Sequence, residues 1–228
     1  MGDLAAELQK ELDIKTAFTI PLFGGIDVNE SVVITWCIMA VLLIVTLIFT
    51  SGMKTRNPGR RQVMVESFVV WIQELTGDML GEEAREYVPY ISTILIYIAI
   101  SNILGIFNIS PPTKDLRVTI ALALMSIVLI EAASFKRKGP KKFFRSFAEP
   151  MAVVAPMNIL ELGIKPLSLC MRLFGNVFAA YVIMELVKMA VPVILPAALC
   201  LYFDLFDGLI QAYVFVFLTS LYIREAVE

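Results

Sequence analysis

The chain has 228 residues, of which 58% are hydrophobic and 18% are charged, and its mean hydropathy is +0.79. A soluble domain of this length needs more polar surface, so the composition excludes one and indicates an integral membrane protein. The net charge of -2 is close to neutral, and no nucleic-acid partner is expected. The three cysteines lie in apolar stretches, so neither a disulfide framework nor a metal site is predicted.

Residues 1–30 are predicted to form an outer N-terminal segment that begins with a short amphipathic helix and is retained rather than cleaved. Apolar stretches follow at 31–53, 87–107 and 117–135. Each is close to the ~20 residues that cross a bilayer core, so each is predicted to be a transmembrane helix. Between the first two, residues 58–84 carry apolar side chains at helical spacing with acids between them. This pattern predicts an amphipathic helix on the membrane surface or against a neighbour.

The last two stretches, 151–188 and 192–224, are too long for simple spans. The former would extend roughly 57 Å as one helix, almost twice the ~30 Å hydrocarbon thickness. It must therefore lie steeply tilted or be broken at Pro156 or Pro166. We predict a tilted two-helix hairpin with its turn near Val191 and Pro192. The predicted fold is an all-α integral membrane protein, a single membrane domain over 1–228 with five membrane-embedded helices, this hairpin included, plus the amphipathic surface helix.

The distribution of lysine and arginine predicts the orientation, because basic loops stay in the cytoplasm. The loops after the first and third spans are dense in these residues, whereas the alternate loops hold few. The N-terminus is therefore expected outside and the C-terminus in the cytoplasm. The residues of the dense loops are Lys54, Arg56, Arg60, Arg61, Lys136, Arg137, Lys138, Lys141, Lys142 and Arg145.

Arg172 lies near the midpoint of 151–188, with no acidic residue within ten positions on either side. A charged side chain at that depth costs at least about 2.5 kcal/mol, so it needs a polar partner or water. Glu161, Lys165, Ser168 and Asn176 fall within about 40° of Arg172 on a helical wheel, which predicts one polar face. A purely structural pairing of Arg172 with an acid of the last helix is the alternative.

The last helix carries Asp204, Asp207 and Gln211 at spacings of three and four residues, so they share one face. If the hairpin turns near residue 190, Asn176 should lie level with Asp204. Glu185 should lie nearer the outside. The polar side chains are thus predicted to form two sets at different depths, with Arg172 between them: Glu161, Lys165 and Ser168 toward the cytoplasm, and Glu185, Asp204 and Asp207 toward the outside.

Three segments, KPLSLCMRLFGN, DGLIQAYVFVFLTSLYI and SPPTKDLRVTIALAL, resemble subunit a of F-type ATP synthases. The resemblance implies a stator that passes protons or sodium ions through two offset half-channels to carboxylates on a rotating ring of c subunits. It implies that Arg172 is the essential stator charge, with Asn176 and Gln211 as its polar neighbours. It also implies that Glu161 belongs to the inner access path and that Asp115 lies at the outer side.

The resemblance further implies partners and a location. We expect a c-subunit ring, a peripheral stalk subunit b and the lipid bilayer as partners, in the plasma membrane of a bacterium. No bound cofactor is expected, and the chain should not act on ATP itself. A secondary transporter or an ion channel with a midplane arginine site is the alternative function.

Two positions depart from the pattern of the family. Tyr181 stands where many members have an acid nine residues after the arginine, and Asp204 stands where many have a histidine. The chain contains no histidine at all. The outer pathway is therefore expected to use Glu185 with Asp204, while Asp207 is expected to belong mainly to a local polar network.

Overall fold

The computed structural model describes residues 16–20, 26–51, 53, 59–107, 109–146, 155–190 and 194–227. The predicted helix within residues 1–15, the turn at Val191 and Pro192, and Glu228 lie outside the described residues. In chain order the elements begin with β1 (Thr16–Ile20), β2 (Ile26–Asn29), α1 (Glu30–Thr50), α2 (Arg60–Leu80), a 3-10 helix (Glu82–Tyr87), α3 (Val88–Ile103) and a second 3-10 helix (Leu104–Phe107). They continue with a third 3-10 helix (Pro112–Lys114), α4 (Leu116–Ser146), α5 (Ala155–Ala190), α6 (Ile194–Cys200), a π-helical segment (Leu201–Asp207) and α7 (Gly208–Val227).

Helical structure dominates, and five helical stretches among the described residues are long and apolar enough to cross a membrane. This confirms the predicted all-α membrane architecture with five membrane-embedded helices. The tilt of the hairpin and the placement of α2 on the membrane surface stay predictions. The five stretches are Glu30–Thr50, Glu82–Phe107, Leu116–Gly139, Leu160–Lys188 and Ala198–Val227.

The short strands β1 and β2 were not predicted from the sequence. They pair antiparallel, with Thr16 opposite Asn29 and Ile20 opposite Ile26, and the register shifts between Thr16 and Phe18. The sequence TAFTI of β1 is rich in residues that favour extended backbone. Because β2 ends directly before α1, the pairing of β1 with β2 determines where Asn29 and Glu30 lie.

Helix α4 is longer than the predicted span 117–135, whereas α5 stays close to the predicted stretch 151–188. Helix α4 continues to Ser146 but is broken at Gly139, whose φ of 73° and ψ of 161° are not helical. Glycine tolerates a positive φ, and an extended ψ suits the residue before Pro140. Helix α5 runs through Pro166 without interruption over 36 residues. A break at this proline, one of the alternatives, is therefore not found.

The pairing of α5 with α7 corrects the predicted register. Asn176 Nδ2 donates a hydrogen bond of 2.6 Å to Gln211 Oε1, whereas the prediction had Asn176 level with Asp204. The difference of seven residues is about two helical turns. The prediction counted facing positions from a turn at residue 190, but α5 continues to Ala190 and the next helical run begins only at Ile194, with a π-helical segment that adds a smaller shift.

By its internal contacts the chain divides into two compact units. The first consists of Met1–Val41, Tyr97–Thr119 and Arg172–Ala212. Its interior contains polar side chains as well as apolar ones, and Thr113 Oγ1 donates to Asn102 Oδ1 at 2.9 Å. Buried residues of this unit include Ile98, Ser101, Asn102, Thr113, Val118, Leu173 and Ala212.

The second unit consists of Leu42–Ile96, Ile120–Met171 and Tyr213–Glu228. A hydrogen bond of 2.9 Å between the hydroxyl groups of Thr76 and Ser92 joins α2 to α3. Ion pairs from Lys136 and Arg137 of α4 reach Glu86 and Glu83 at 2.7 and 3.1 Å. Its buried apolar residues include Ile72, Leu80, Ala84, Ile91, Ile130, Phe215 and Ile223.

Candidate functional site

Arg172 lies on α5, close to the middle of the apolar stretch Leu160–Lys188. Its side chain is exposed, and it forms no ion pair with any carboxylate of the described residues. The structural pairing with Asp204 or Asp207, the alternative from the sequence, is therefore not found. A buried position in lipid would be costly for such a charge.

Asn176 and Gln211 meet between α5 and α7. Asn176 is exposed and lies one helical turn after Arg172, while Gln211 is only 3% exposed. The amide oxygen of Gln211 accepts the hydrogen bond from Asn176, but its buried Nε2 has no partner among the described residues. An unsatisfied buried donor costs free energy. The exposed side-chain amide of Asn176 is thus hydrogen-bonded to the buried side-chain amide of Gln211.

A second polar cluster surrounds Lys165 on α5. Its Nζ lies 3.8 Å from Glu161 Oε2 and 3.3 Å from Glu225 Oε2, and 5.3 Å from the centre of the Tyr222 ring. The sequence predicted only the pair with Glu161, because the contact with Glu225 depends on how α7 aligns with α5. Ser168, the third residue of the predicted inner set, is partly exposed on the same helix.

The predicted outer residues Glu185 and Asp204 line the same cavity, which has a volume of about 520 Å³. Sequence reasoning did not single out Glu30 or Lys188, which also line it. The signal for Glu30 was weak, since it only begins the first span. The full lining is Glu30, Gly105, Ile109, Ser110, Pro111, Val177, Tyr181, Met184, Glu185, Lys188 and Asp204.

Cations lie beside the acids of this cavity. Lys188 Nζ pairs with Glu185 Oε1 at 2.9 Å, and the Glu185 side chain is only 15% exposed. Lys114 Nζ lies 3.6 Å from the centre of the Tyr181 ring, a favourable cation–π arrangement. The Tyr181 ring therefore holds the Lys114 ammonium beside this cavity. Among the described residues, no three His, Cys, Asp or Glu side chains are placed to hold a metal ion.

Asp204 lies within the π-helical segment. The backbone N–H of Gly208 donates to Phe203 O, five residues earlier, as the wider helix requires. The Cys200 Sγ donates to Asp204 Oδ2 at 3.0 Å. Single π-helical turns are frequent at functional sites because they change where side chains point. Asp204 therefore has a position that a regular helix would not give it.

Asp115 and Asp207 are not among the cavity-lining residues. Asp115 is 1% exposed, and its carboxylate accepts hydrogen bonds from the Arg117 backbone N–H at 3.0 Å and from Asn29 Nδ2 at 3.1 Å. These are the contacts of a helix N-cap, which here also joins α4 to the end of β2. Asp207 is partly exposed at the end of the π-helical segment.

Comparison with known proteins gives one consistent family. A family model described as "ATP synthase A chain" matches residues 32–224. The chain is 36% identical to "ATP synthase subunit a, sodium ion specific" of Propionigenium modestum, over 89% of this chain and 75% of that protein. It is 33% identical to ATP synthase subunit a of Moorella thermoacetica, over 90% of this chain and 94% of that protein. With its five membrane-crossing helices, the chain is a membrane protein that belongs to the ATP synthase subunit a family.

Proposed function

We propose that this chain is the ion-translocating stator subunit of a rotary F-type ATP synthase. It passes protons or sodium ions through two half-channels to and from carboxylates on the c ring, around Arg172. The observation that carries the proposal is the Arg172 guanidinium, which is exposed near the centre of an apolar 29-residue stretch and has no acidic partner within the described part of the chain. Membership of the subunit a family supplies the partner whose carboxylates such a charge would meet.

The mechanism follows from the free energy of a charge in lipid. A ring carboxylate can face lipid only when a proton or a sodium ion neutralises it. Opposite Arg172 the ionised form is favoured by the opposite charge. Arg172 therefore strips the ion from an arriving carboxylate. It also repels cations that would otherwise pass directly between the two aqueous paths.

The cavity that Glu185 and Asp204 line supports its assignment as the outer half-channel. The cluster around Lys165, with Glu161 and Ser168, is the candidate for the inner one. Because each path reaches only part of the way, an ion must travel with the ring before it can leave. A membrane potential of 100 mV supplies about 2.3 kcal/mol per charge and so biases the direction of rotation.

The c ring and the peripheral stalk subunit b are the proposed partners, in a bacterial plasma membrane with the C-terminus in the cytoplasm. The decisive experiment is affinity purification of the tagged chain from its native membranes. A stator subunit should bring a ring of small hairpin subunits and the stalk in stoichiometric amounts. A secondary transporter or an ion channel would purify without them, and that result would contradict the proposal.

The coupling ion is tested separately. The relative from Propionigenium modestum is described as sodium ion specific, which makes sodium a candidate here beside the proton. ATP synthesis by the purified complex in liposomes should be measured at a fixed pH gradient while the sodium concentration is varied. Saturable dependence on sodium identifies sodium as the coupling ion, and synthesis independent of sodium identifies the proton.

A further inference from the structure

We infer that Gly105 is a positioning residue for Asp204: it leaves the space that the Asp204 carboxylate occupies in the cavity. Gly105 ends up beside Asp204 because the 3-10 helix Leu104–Phe107 lies against the π-helical segment. The effect on ion transport rests on the function proposed above. The inference that Gly105 sets the position of the Asp204 carboxylate does not rest on that function, and it is tested by a separate measurement.

The contact is closer than any side chain at position 105 would allow. A Cβ built on Gly105 would lie 2.5 Å from Asp204 Cγ, 2.6 Å from Oδ1 and 2.8 Å from Oδ2. All three distances are far inside the ~3.5 Å at which carbon atoms make favourable contact. Any other residue at this position therefore forces the carboxylate to move.

A neighbouring contact keeps the backbone of the segment in place. Asn102, one helical turn before Gly105, is 3% exposed, and its Nδ2 donates to Gly208 O at 2.9 Å. The other end of its amide accepts from Thr113 Oγ1 at 2.9 Å. The backbone is thus held by a buried and satisfied amide. The carboxylate is the end of a rotatable side chain, so it is the part that yields when a methyl group is added.

Cys200 reports the position of the Asp204 carboxylate independently of transport. Its Sγ donates to Oδ2 at 3.0 Å, so the Asp204 carboxylate holds the thiol proton in a hydrogen bond that must break before a reagent can attack the sulfur. The thiolate is the form that alkylating reagents attack. Displacing the carboxylate should therefore speed alkylation of Cys200.

The test uses the assembled complex in native membranes, treated with N-ethylmaleimide, with labelling of Cys200 followed by mass spectrometry. Asp204→Ala removes the acceptor, and Gly105→Ala should displace it. Both should raise the labelling rate by about fivefold, the factor expected for loss of one hydrogen bond. The control is Gly77→Ala, whose Cβ would meet only Val88 Cγ2 at 3.8 Å and which should label at the wild-type rate. Wild-type labelling in Gly105→Ala would overturn the inference, with or without faster labelling in Asp204→Ala.

Ion-driven ATP synthesis then tests what the positioning does. Gly105→Ala should raise the coupling-ion concentration for half-maximal synthesis at least about threefold, because small misplacements of a polar group weaken its contribution strongly. Gly77→Ala should leave it unchanged. One outcome is that Gly105→Ala changes the labelling of Cys200 while ATP synthesis stays normal in both Gly105→Ala and Asp204→Ala. The role of Gly105 in positioning the carboxylate then stands, and the outer pathway proposed above is wrong. If only Asp204→Ala changes both, the pathway stands and the positioning is wrong.

Should Gly105→Ala fail to assemble, the same contact predicts its rescue. Asp204→Ala vacates the space that the new methyl group needs, so the double variant should recover the yield of assembled complex found for Asp204→Ala alone. A double variant that stays as poorly assembled as Gly105→Ala would overturn the inference.

Discussion

At the scale of single residues, the acids of the cavity differ in their surroundings. Glu185 is paired with Lys188 at 2.9 Å, whereas the Asp204 carboxylate accepts a hydrogen bond from the Cys200 thiol at 3.0 Å. An arriving cation must displace the Lys188 ammonium from its direct ion pair with Glu185, whereas the Lys188 charge acts on Asp204 from a longer distance. This difference makes Asp204 the better candidate for direct exchange of ions with the c ring. Glu185 is then a residue that ions pass on their way to Asp204.

The first prediction compares three carboxylates. Asp204→Asn should slow ion-driven synthesis strongly and Glu185→Gln should resemble it, because both line the cavity. Asp207→Asn should have a weaker effect, since Asp207 is not in the lining. Assembled complex and ATP synthesis are measured in the same membranes. Normal synthesis per complex in both Asp204→Asn and Glu185→Gln would remove these residues from the pathway, and loss of assembly alone would make Asp204 structural.

The second prediction concerns Asp115, whose contacts are those of a helix cap. Asn caps a helix about as well as Asp, and Asn29 can reverse its amide so that its oxygen accepts from the new NH2 group, whereas Ala costs typically about 1 kcal/mol. Asp115→Asn should therefore keep both assembly and coupled synthesis, and Asp115→Ala should lower the yield and the thermal midpoint of the complex. A large loss of synthesis in a fully assembled Asp115→Asn complex would instead assign Asp115 to the ion pathway.

At the scale of elements, Asn102 contacts Gly208, the residue that directly follows the π-helical segment Leu201–Asp207. A Cβ on Gly208 would lie 2.9 Å from the Asn102 Cβ. That atom is bonded to the backbone and cannot rotate away, unlike the carboxylate near Gly105. The two glycines thus have different roles: Gly208 permits the packing of two elements, and Gly105 permits the position of one side chain.

The third prediction follows from that difference. Gly208→Ala should destabilise the chain by about 1–3 kcal/mol, the usual cost of overpacking. The solubilised complex should show a lower thermal midpoint and a lower yield, while Gly77→Ala should match the wild type. An unchanged midpoint for Gly208→Ala would show that the close contact with Asn102 does not exist in the assembled protein.

Much of the fold could be predicted because the length of an apolar stretch is a local property of the sequence. The five helical stretches of the described residues that are long and apolar enough to cross a membrane follow from such lengths. Glu185 and Asp204, which the sequence placed together toward the outside, line one cavity. The register of that hairpin was wrong by about two turns, mainly because the facing positions were counted from a turn at residue 190, whereas α5 continues to Ala190 and the next helix begins at Ile194. The π-helical segment, which nothing local in LYFDLFD marks, adds a smaller shift. The contacts of Lys165 with Glu225 and of Asn29 with Asp115 join residues far apart in the chain, which periodicity cannot detect.

At the scale of the whole molecule, the basic loops predict the orientation in the membrane. Lys141 and Glu228 should be cytoplasmic and Lys114 should be outside, because lysine and arginine are concentrated in alternate loops. Single cysteines at these positions, labelled from one side of sealed vesicles at a time, test this fourth prediction. Labelling of position 114 from the inside only would overturn the proposed topology.

The central claim is that the unpaired charge of Arg172 couples ion flow to ring rotation. Arg172→Ala should leave the complex assembled, because one exposed side chain contributes little to packing, but should abolish ion-driven ATP synthesis. Arg172→Lys should support little ion-driven ATP synthesis, since a lysine is more strongly hydrated and can lose its proton when buried. The control is Arg85→Ala, which removes an exposed arginine paired with Glu82 and should leave synthesis unchanged. The measurement is ATP synthesis per assembled complex in liposomes: none for Arg172→Ala is the predicted result, and a normal rate would contradict the stator mechanism for this protein.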